Sequence, residues 1–361
     1  MKAVVKVGTS SITRETGELD AAALAKLGDE LAAARAAGHV VVLVSSGAIA
    51  AGLPALGLTE RPDDLGALQA VAAVGQPRLM ERVSALLAAR GLVAGQVLLT
   101  PHDFGQRSQY LHARQTLACL LELGVVPVVN ENDTVADDEI RYGDNDRLAA
   151  LVSHLVGADV LVLLTDTDGL FTADPRLDHR ASLIEEIVEV DAALEAVAGG
   201  AGSDRGSGGM ASKLAAAKIA AWSGVRTVIA AAEEPGVLCR AIEAQPVGTL
   251  VRPRATRLSS RKLWIAFARG AAGRVVVDAG ARRALAEDHR SLLPAGVRGV
   301  DGRFDADDAV EVVSDDGAAF AKGLVRYDSA TLRRVAGRKT GELPEGAPHE
   351  VIHRDDLVVL A

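Results

Sequence analysis

The stretch VVVLVSSGAIAAGLPALGL, residues 40–58, carries no charge over 19 residues and is long enough to be mistaken for a membrane helix. Its composition argues otherwise. Paired serines, three glycines and Pro54 make a poor spanning helix. A buried strand at 40–44 that runs into a glycine-rich turn explains the stretch better, because strands covered on both faces read as unbroken apolar runs. No membrane span is expected.

The same signature recurs at residues 3–7, 93–99, 125–129, 160–165 and 225–230. Helical segments lie between these runs. The first, LDAAALAKLGDELAAARAAG, offers Asp20 as N-cap, Leu24, Leu27 and Leu31 on one face, and Gly38 as a stop. A second, over 63–90, is expected to break at Gly75-Gln76-Pro77. A third runs over 108–123, another begins at Asp144 or Asn145, and the last covers 210–223. This alternation predicts an α/β fold with a mostly parallel open sheet sandwiched by helices.

At 361 residues the chain has room for two domains. Hydrophobic residues make up 49% and aromatics only 3%, so alanine, valine and leucine must fill the core. A net charge of −9 opposes nonspecific attraction to nucleic acid or anionic membrane. Cys119 and Cys239 have no partner at metal-ligand spacing, which fits a reducing, cytoplasmic setting. The N-terminus MKAVVKVGTSS has too short an apolar core for a signal peptide.

Beyond Val251 the texture changes. RPRATRLSSRKLW is basic and polar and reads as a linker, and short alternating runs such as RVVVDAG and AVEVVSDDG follow. These predict a small β-rich domain. The first 255 residues carry a net −10 and the remainder +1. The expected division is 1–255, a linker at 256–270, and 271–361.

In an open parallel sheet, ligands sit at the carboxyl ends of the strands. Four unusual segments fall there: KVGTSS, SSGAIAAG, NENDTVADDEIRYGDND and TDTDGLF. Lys6 lies inside an otherwise buried strand, where a charge is costly without an anion. Either it snorkels from a strand edge or it meets a ligand. SSGAIAAG presents backbone N–H groups leading into a helix, which suits a carboxylate or phosphate, though a tight turn would read alike. The acidic segment holds Glu131, Asp133, Asp137, Asp138, Glu139, Asp144 and Asp146. It is either a solvated loop or a site for an ammonium group or Mg²⁺, and it lacks the glycine and glutamate spacing of a calcium loop. RGSGGMASK, residues 205–213, is a flexible hinge or an anion clasp. It does not fit the P-loop spacing, yet it leads into a helix whose positive end, with Lys213 near the first turn, favours an anion.

Other chemistries lack their signatures. There is no G-x-S-x-G, no H-E-x-x-H, no cysteine metal pattern and no G-x-G-x-x-G after the first strand. What remains is lysine, glycine, small hydroxyls and acids, a kit for positioning and charge stabilisation.

In order along the chain, VVKVGTSS, VSSGAIAAGL, VAAVGQPRLM, GQVLLT, VVPVVNENDTVA, GDNDRLAALV, LLTDTDGLFTADPR and GSGGMASKLAAAKIA resemble the amino acid kinase family. The tail, GRVVVDAGARRAL through GLVRY, resembles a PUA domain. The resemblance implies ATP-dependent phosphorylation of the γ-carboxylate of L-glutamate, with Mg²⁺, as a first step of proline biosynthesis. It implies that Lys6 and Lys213 neutralise the phosphoryl group in transit while Asp146 orients them. Ser46, Asp133 and Asn145 would hold glutamate, with Asn130 and Asp144 nearby. Lys6, Thr165, Asp166, Ser207, Gly208, Gly209, Met210, Ala211, Ser212 and Lys213 would hold ATP. The protein ligands of the metal stay open. Ser207 stands where threonine is common, and it keeps the hydroxyl.

The resemblance also implies a homo-oligomer, dimer or tetramer, feedback inhibition by proline, and a glutamyl phosphate reductase downstream. Competing readings are another substrate of the same family (N-acetylglutamate, aspartate, carbamate or UMP) and RNA binding through the tail. An N-acetylated substrate has no ammonium for the acidic loop, and the near-neutral tail disfavours phosphate tracking.

Overall fold

The computed structural model describes residues 1–14, 18–135, 145–173, 175, 178–191, 194–195 and 209–360. The chain divides into two compact units, Met1–Arg257 and Leu258–Ala361, each built on its own sheet. Among the described residues no helix is long and apolar enough to cross a membrane.

The first unit runs β1 (Lys2–Val7), α1 (Ala21–Ala36), β2 (Val40–Ser45), α2 (Ala48–Gly52), α3 (Leu65–Ala88), β3 (Ala94–Leu99), α4 (Pro101–Gly105), α5 (Arg107–Glu122) and β4 (Val126–Glu131). It continues with α6 (Asn145–Val156), β5 (Val160–Thr165), β6 (Glu186–Ile187), α7 (Met210–Trp222), β7 (Arg226–Ala231), α8 (Val237–Ile242) and β8 (Thr249–Val251). The sheet order is β3-β4-β2-β1-β5-β7-β8-β6, and every neighbouring pair is parallel except β7 with β8. This is the mostly parallel α/β sheet that the apolar runs predict.

Central β1 shows why these residues make strands. Val4 pairs across to Val42 on one side and Leu161 on the other, and all three are fully buried. Burying each such side chain is worth about 1.5–3 kcal/mol, and β-branched residues fit the pleat. Ala3, Val5 and Val7 point into a core shared with Leu24, Leu27 and Leu31 of α1 and Leu79, Val83 and Leu87 of α3. By the twofold alternation of a strand, Val4 and Lys6 face the other layer, which holds α6. Asp20 caps α1 as its sequence predicts, accepting from Ala22 and Ala23 N–H.

Two expectations are corrected. Helix α3 does not break at Gly75-Gln76-Pro77 but runs unbroken through Pro77. Its buried residues on both sides of the proline, Leu68, Val71 and Ala72 before it and Leu79, Val83 and Leu87 after it, hold the two halves in line. The lost hydrogen bond, a cost of about 3 kcal/mol in an isolated helix, is offset by that packing. The stretch 256–270, expected as a linker, is folded from Ser260 onward. It forms α9 (Ser260–Leu263) and a π-turn at Trp264–Ala268, with Leu263 and Ile265 buried. The buried Lys322 ammonium donates to the carbonyls of Ala266 and Arg269 and pins that turn.

The second unit continues with β9 (Gly273–Val277), α10 (Ala279–Ala286), β10 (Val297–Gly302), β11 (Ala309–Ser314), β12 (Ala319–Leu324), α11 (Ser329–Val335) and β13 (Leu357–Val359). Its five strands are ordered β10-β9-β11-β12-β13 around a core that includes Val275, Val312, Leu332 and Ile352. It is the β-rich unit that the alternating runs predict.

Candidate active site

The carboxyl ends of β1, β2, β4 and β5 and the first turns of α6 and α7 bring two polar clusters into the first unit. The sheet register sets the first. Lys6, one residue from the end of β1, is 3% exposed. Asp146, in the first turn of α6, is fully buried, and Lys213, in the first turns of α7, is 5% exposed. The Lys6 ammonium lies 2.5 Å from Asp146 Oδ1, and that of Lys213 lies 3.4 Å from Oδ2. The Ser212 hydroxyl, 2.8 Å from Oδ2 and 2.9 Å from the Gly209 carbonyl, shares its proton between them.

Electrostatics follow from burial. Desolvation alone would push the Asp146 carboxyl up, but the two ammonium groups and the Ser212 hydroxyl overcome it and hold it below the ordinary carboxylate value. Burial pulls Lys213 below the usual lysine value, opposed by Asp146 and Asp166 and reinforced by Lys6. Lys6, Asp146 and Lys213 are all buried, and Asp166 adds a second negative charge near Lys213.

The second cluster is made of amides. Gly47 sits at φ +103°, a left-handed conformation that glycine adopts without strain, and turns the chain from β2 into α2. Beside this turn the Asn145 amide nitrogen lies 3.0 Å from the Ser45 carbonyl, 3.0 Å from Ser46 Oγ and 2.9 Å from Asn130 Oδ1. Asn130, on β4, donates in turn to Gln76 Oε1 at 2.7 Å. Asn145 Oδ1 is buried and has no hydrogen-bond partner among the described residues.

The remaining expected residues fall into three groups. Thr165 ends β5, and its hydroxyl donates to Asp166 Oδ1 at 3.0 Å. Gly209 precedes α7, and Met210, Ala211 and Ser212 form its first turn. Asp133 has Arg61 as its electrostatic neighbour. Burial pushes its carboxyl up to about 6, with Arg61 pulling the other way. No hydrogen bond joins it to the Asn145 cluster among the described residues. Asp144, Ser207 and Gly208 lie outside the described residues, as do Asp137, Asp138 and Glu139.

Gln76 was not anticipated from the sequence. The signal was the glycine before it: a Cβ on Gly75 would sit 1.8 Å from the Ala48 carbonyl oxygen. Only glycine lets α3 press against α2 there, and the next residue, Gln76, reaches Asn130. A separate cavity of about 630 Å³ is lined by residues including Asp168, Ala231, Glu234 and Gly248, and its wall does not include Lys6, Asp146 or Lys213. Among the described residues no group of three or more His, Cys, Asp or Glu could hold a metal ion.

Two buried lysines thus share one carboxylate at the strand ends of a parallel sheet. The chain belongs to the amino acid kinase family, which it matches over residues 1–231, and it carries a PUA domain over residues 273–346. It is 48% identical over 361 residues to the glutamate 5-kinase of Moorella thermoacetica, covering 99% of this chain and 96% of that one. The glutamate 5-kinase of Azoarcus sp. (strain BH72) is 49% identical, with 99% and 97% covered. That of Mycobacterium tuberculosis (strain ATCC 25177 / H37Ra) is also 49% identical, with 99% and 94% covered. A solved UMP kinase structure from Bacillus anthracis aligns at 16% identity with a TM-score of 0.48, over 70% of this chain and 96% of that one.

Proposed function

We propose that this chain transfers the γ-phosphoryl group of ATP to the γ-carboxylate of L-glutamate, giving L-glutamyl 5-phosphate and ADP, the first step of proline biosynthesis. The observation that carries the reading is the Lys6–Asp146–Lys213 cluster beside the Ser46–Asn130–Asn145 cluster, in a chain whose near-full-length relatives are named for this reaction.

The chemistry asks for little acid or base help. A carboxylate with an ordinary pKa of about 4.3 is already ionised at neutral pH. One of its oxygens attacks the γ-phosphorus, the bond from that phosphorus to the bridging oxygen breaks, and ADP leaves with the electron pair. The obstacle is an anion approaching a polyanion. Lys6 and Lys213 supply fixed positive charge at the transferring group, as phosphoryl transfer requires. Asp146, held ionised between them, positions both ammonium groups and takes no proton. Magnesium bound with ATP would add positive charge at the phosphates, beside that of Lys6 and Lys213.

Ser46 accepts a hydrogen bond from Asn145, which leaves its own O–H free to donate to a substrate carboxylate. Asp133, with Asp144, takes the substrate ammonium, and Asn130 and Asn145 complete the glutamate subsite. Thr165, Asp166 and residues 207–213 hold ATP, and exclusion of water at the transferring group would protect the acyl phosphate from hydrolysis. The family resemblance further supports a cytoplasmic homo-oligomer, dimer or tetramer, inhibited by proline and feeding a glutamyl phosphate reductase. The kinase part ends near residue 257, and the near-neutral tail speaks against RNA as a partner.

Incubation with ATP, Mg²⁺, hydroxylamine and a panel of acids tests the reading. L-Glutamate should yield a trapped hydroxamate. Trapping only with N-acetylglutamate, aspartate or carbamate would refute it.

A further inference from the structure

Amide side chains have two different ends, and their neighbours decide which end faces where. The Ser45 carbonyl can only accept, so the Asn145 amide must turn its NH₂ toward it at 3.0 Å. The rest of the chain of amides follows from that anchor. Asn145 donates to Asn130 Oδ1, so Asn130 turns its own NH₂ to Gln76 Oε1, and Gln76 turns its NH₂ to Gln96 Oε1 at 3.3 Å. Four side chains from α6, β4, α3 and β3 thus form one relay with a single direction.

The two hydrogens of the Asn145 amide are divided among the Ser45 carbonyl, Ser46 Oγ and Asn130 Oδ1, all within the protein. Its oxygen is left, buried and without a partner among the described residues. A buried acceptor without a donor is a standing cost, and a ligand N–H would remove it.

We propose that Gln76 is a positioning residue for the substrate. Through Asn130 it holds the Asn145 side chain so that, among the described residues, its carbonyl oxygen is the amide atom left for a ligand. The subsite therefore takes a donor, the ammonium of an unacylated amino acid, and repels a carboxylate. This deepens the glutamate reading and rests on it. It also fixes the direction in which the amino acid lies, with its ammonium at Asn145 and a carboxylate at the Ser46 hydroxyl. The close contact of Gly75 with the Ala48 carbonyl is what carries Gln76 into reach.

The test uses the full chain and the hydroxamate assay, reading KM for glutamate and for ATP separately, because KM does not depend on the folded fraction. Gln76→Met, a helix former of similar length that cannot accept from Asn130, should raise the glutamate KM by about tenfold or more and leave the ATP KM within about twofold. Gln76→Glu, which keeps an oxygen toward Asn130, should restore the glutamate KM to within about threefold of wild type. If Gln76→Met does not fold, Gln76→Leu makes the same comparison. A glutamate KM unchanged in the apolar variant overturns the proposal, and so does equal impairment of the apolar and glutamate variants. Wild-type protein that is inactive on glutamate but active on N-acetylglutamate overturns the glutamate reading itself, and this inference with it.

Discussion

The Lys6 ammonium lies 2.5 Å from Asp146 Oδ1 in a pocket where Asp146 has no solvent exposure, while Lys213 approaches the other oxygen of the same carboxylate. A buried carboxylate shared by two cations is stable only as a set. Removing the anion leaves two buried ammonium groups without their shared carboxylate, at a cost of about 3–5 kcal/mol. Asp146→Asn should lower the unfolding free energy by about that much in denaturant titration and depress kcat by about a hundredfold or more. Because the native carboxyl sits below its ordinary value, its contribution to stability is present at neutral pH and is lost as pH falls through the depressed native value. Wild type should therefore lose stability in strong acid more steeply than Asp146→Asn.

Lys213 serves the phosphoryl group in transit, so Lys213→Ala should lower kcat by about a hundredfold and change the glutamate KM little. Burial pulls its titration below the ordinary lysine value. The alkaline limb of kcat should accordingly appear below about pH 10.4 and move upward in Lys213→Arg, measured as pH–rate profiles of both proteins.

These two lysines were legible in the sequence for different reasons. Lys6 stands out as a charge in an apolar run, and Lys213 as a cation at a helix start behind glycines. Their meeting on one carboxylate was implied only by the family resemblance, because Lys6, Asp146 and Lys213 lie on three elements far apart in the chain and no local pattern encodes it. The strands were readable because Val and Leu runs at 3–7, 40–44 and 160–165 must be buried on both faces. The path of α3 was not. Local propensity counts Gly75 and Pro77 as breakers, whereas the glycine answers to the Ala48 carbonyl of another helix. The stretch 256–270 misled for a related reason: its basic residues suggested a linker, while Leu263 and Ile265 bury.

Gly75→Ala should be far more damaging than a usual glycine-to-alanine change in a helix, which normally stabilises. The added methyl meets the Ala48 oxygen, and overpacking of that kind costs about 1–3 kcal/mol. Thermal denaturation should show the lower midpoint, and the glutamate KM should rise as Gln76 is displaced.

Asp133, pushed up to about 6, must be ionised to take an ammonium. The glutamate KM should rise about tenfold for each pH unit below 6, with the ATP KM flat. Asp133→Asn should raise KM at neutral pH and remove the acid limb. An acid limb that persists in the variant would assign the titration to another group.

The most direct test of the account follows the oxygen that attacks phosphorus. L-Glutamate labelled with heavy oxygen in its γ-carboxylate is incubated with the protein, ATP, Mg²⁺ and hydroxylamine. Hydroxylamine cleaves the acyl phosphate at the carbonyl carbon, so the released phosphate should carry a single heavy oxygen from the substrate. Phosphate that contains none, with ADP still formed, would mean that water and not the carboxylate is the nucleophile, and would contradict the account.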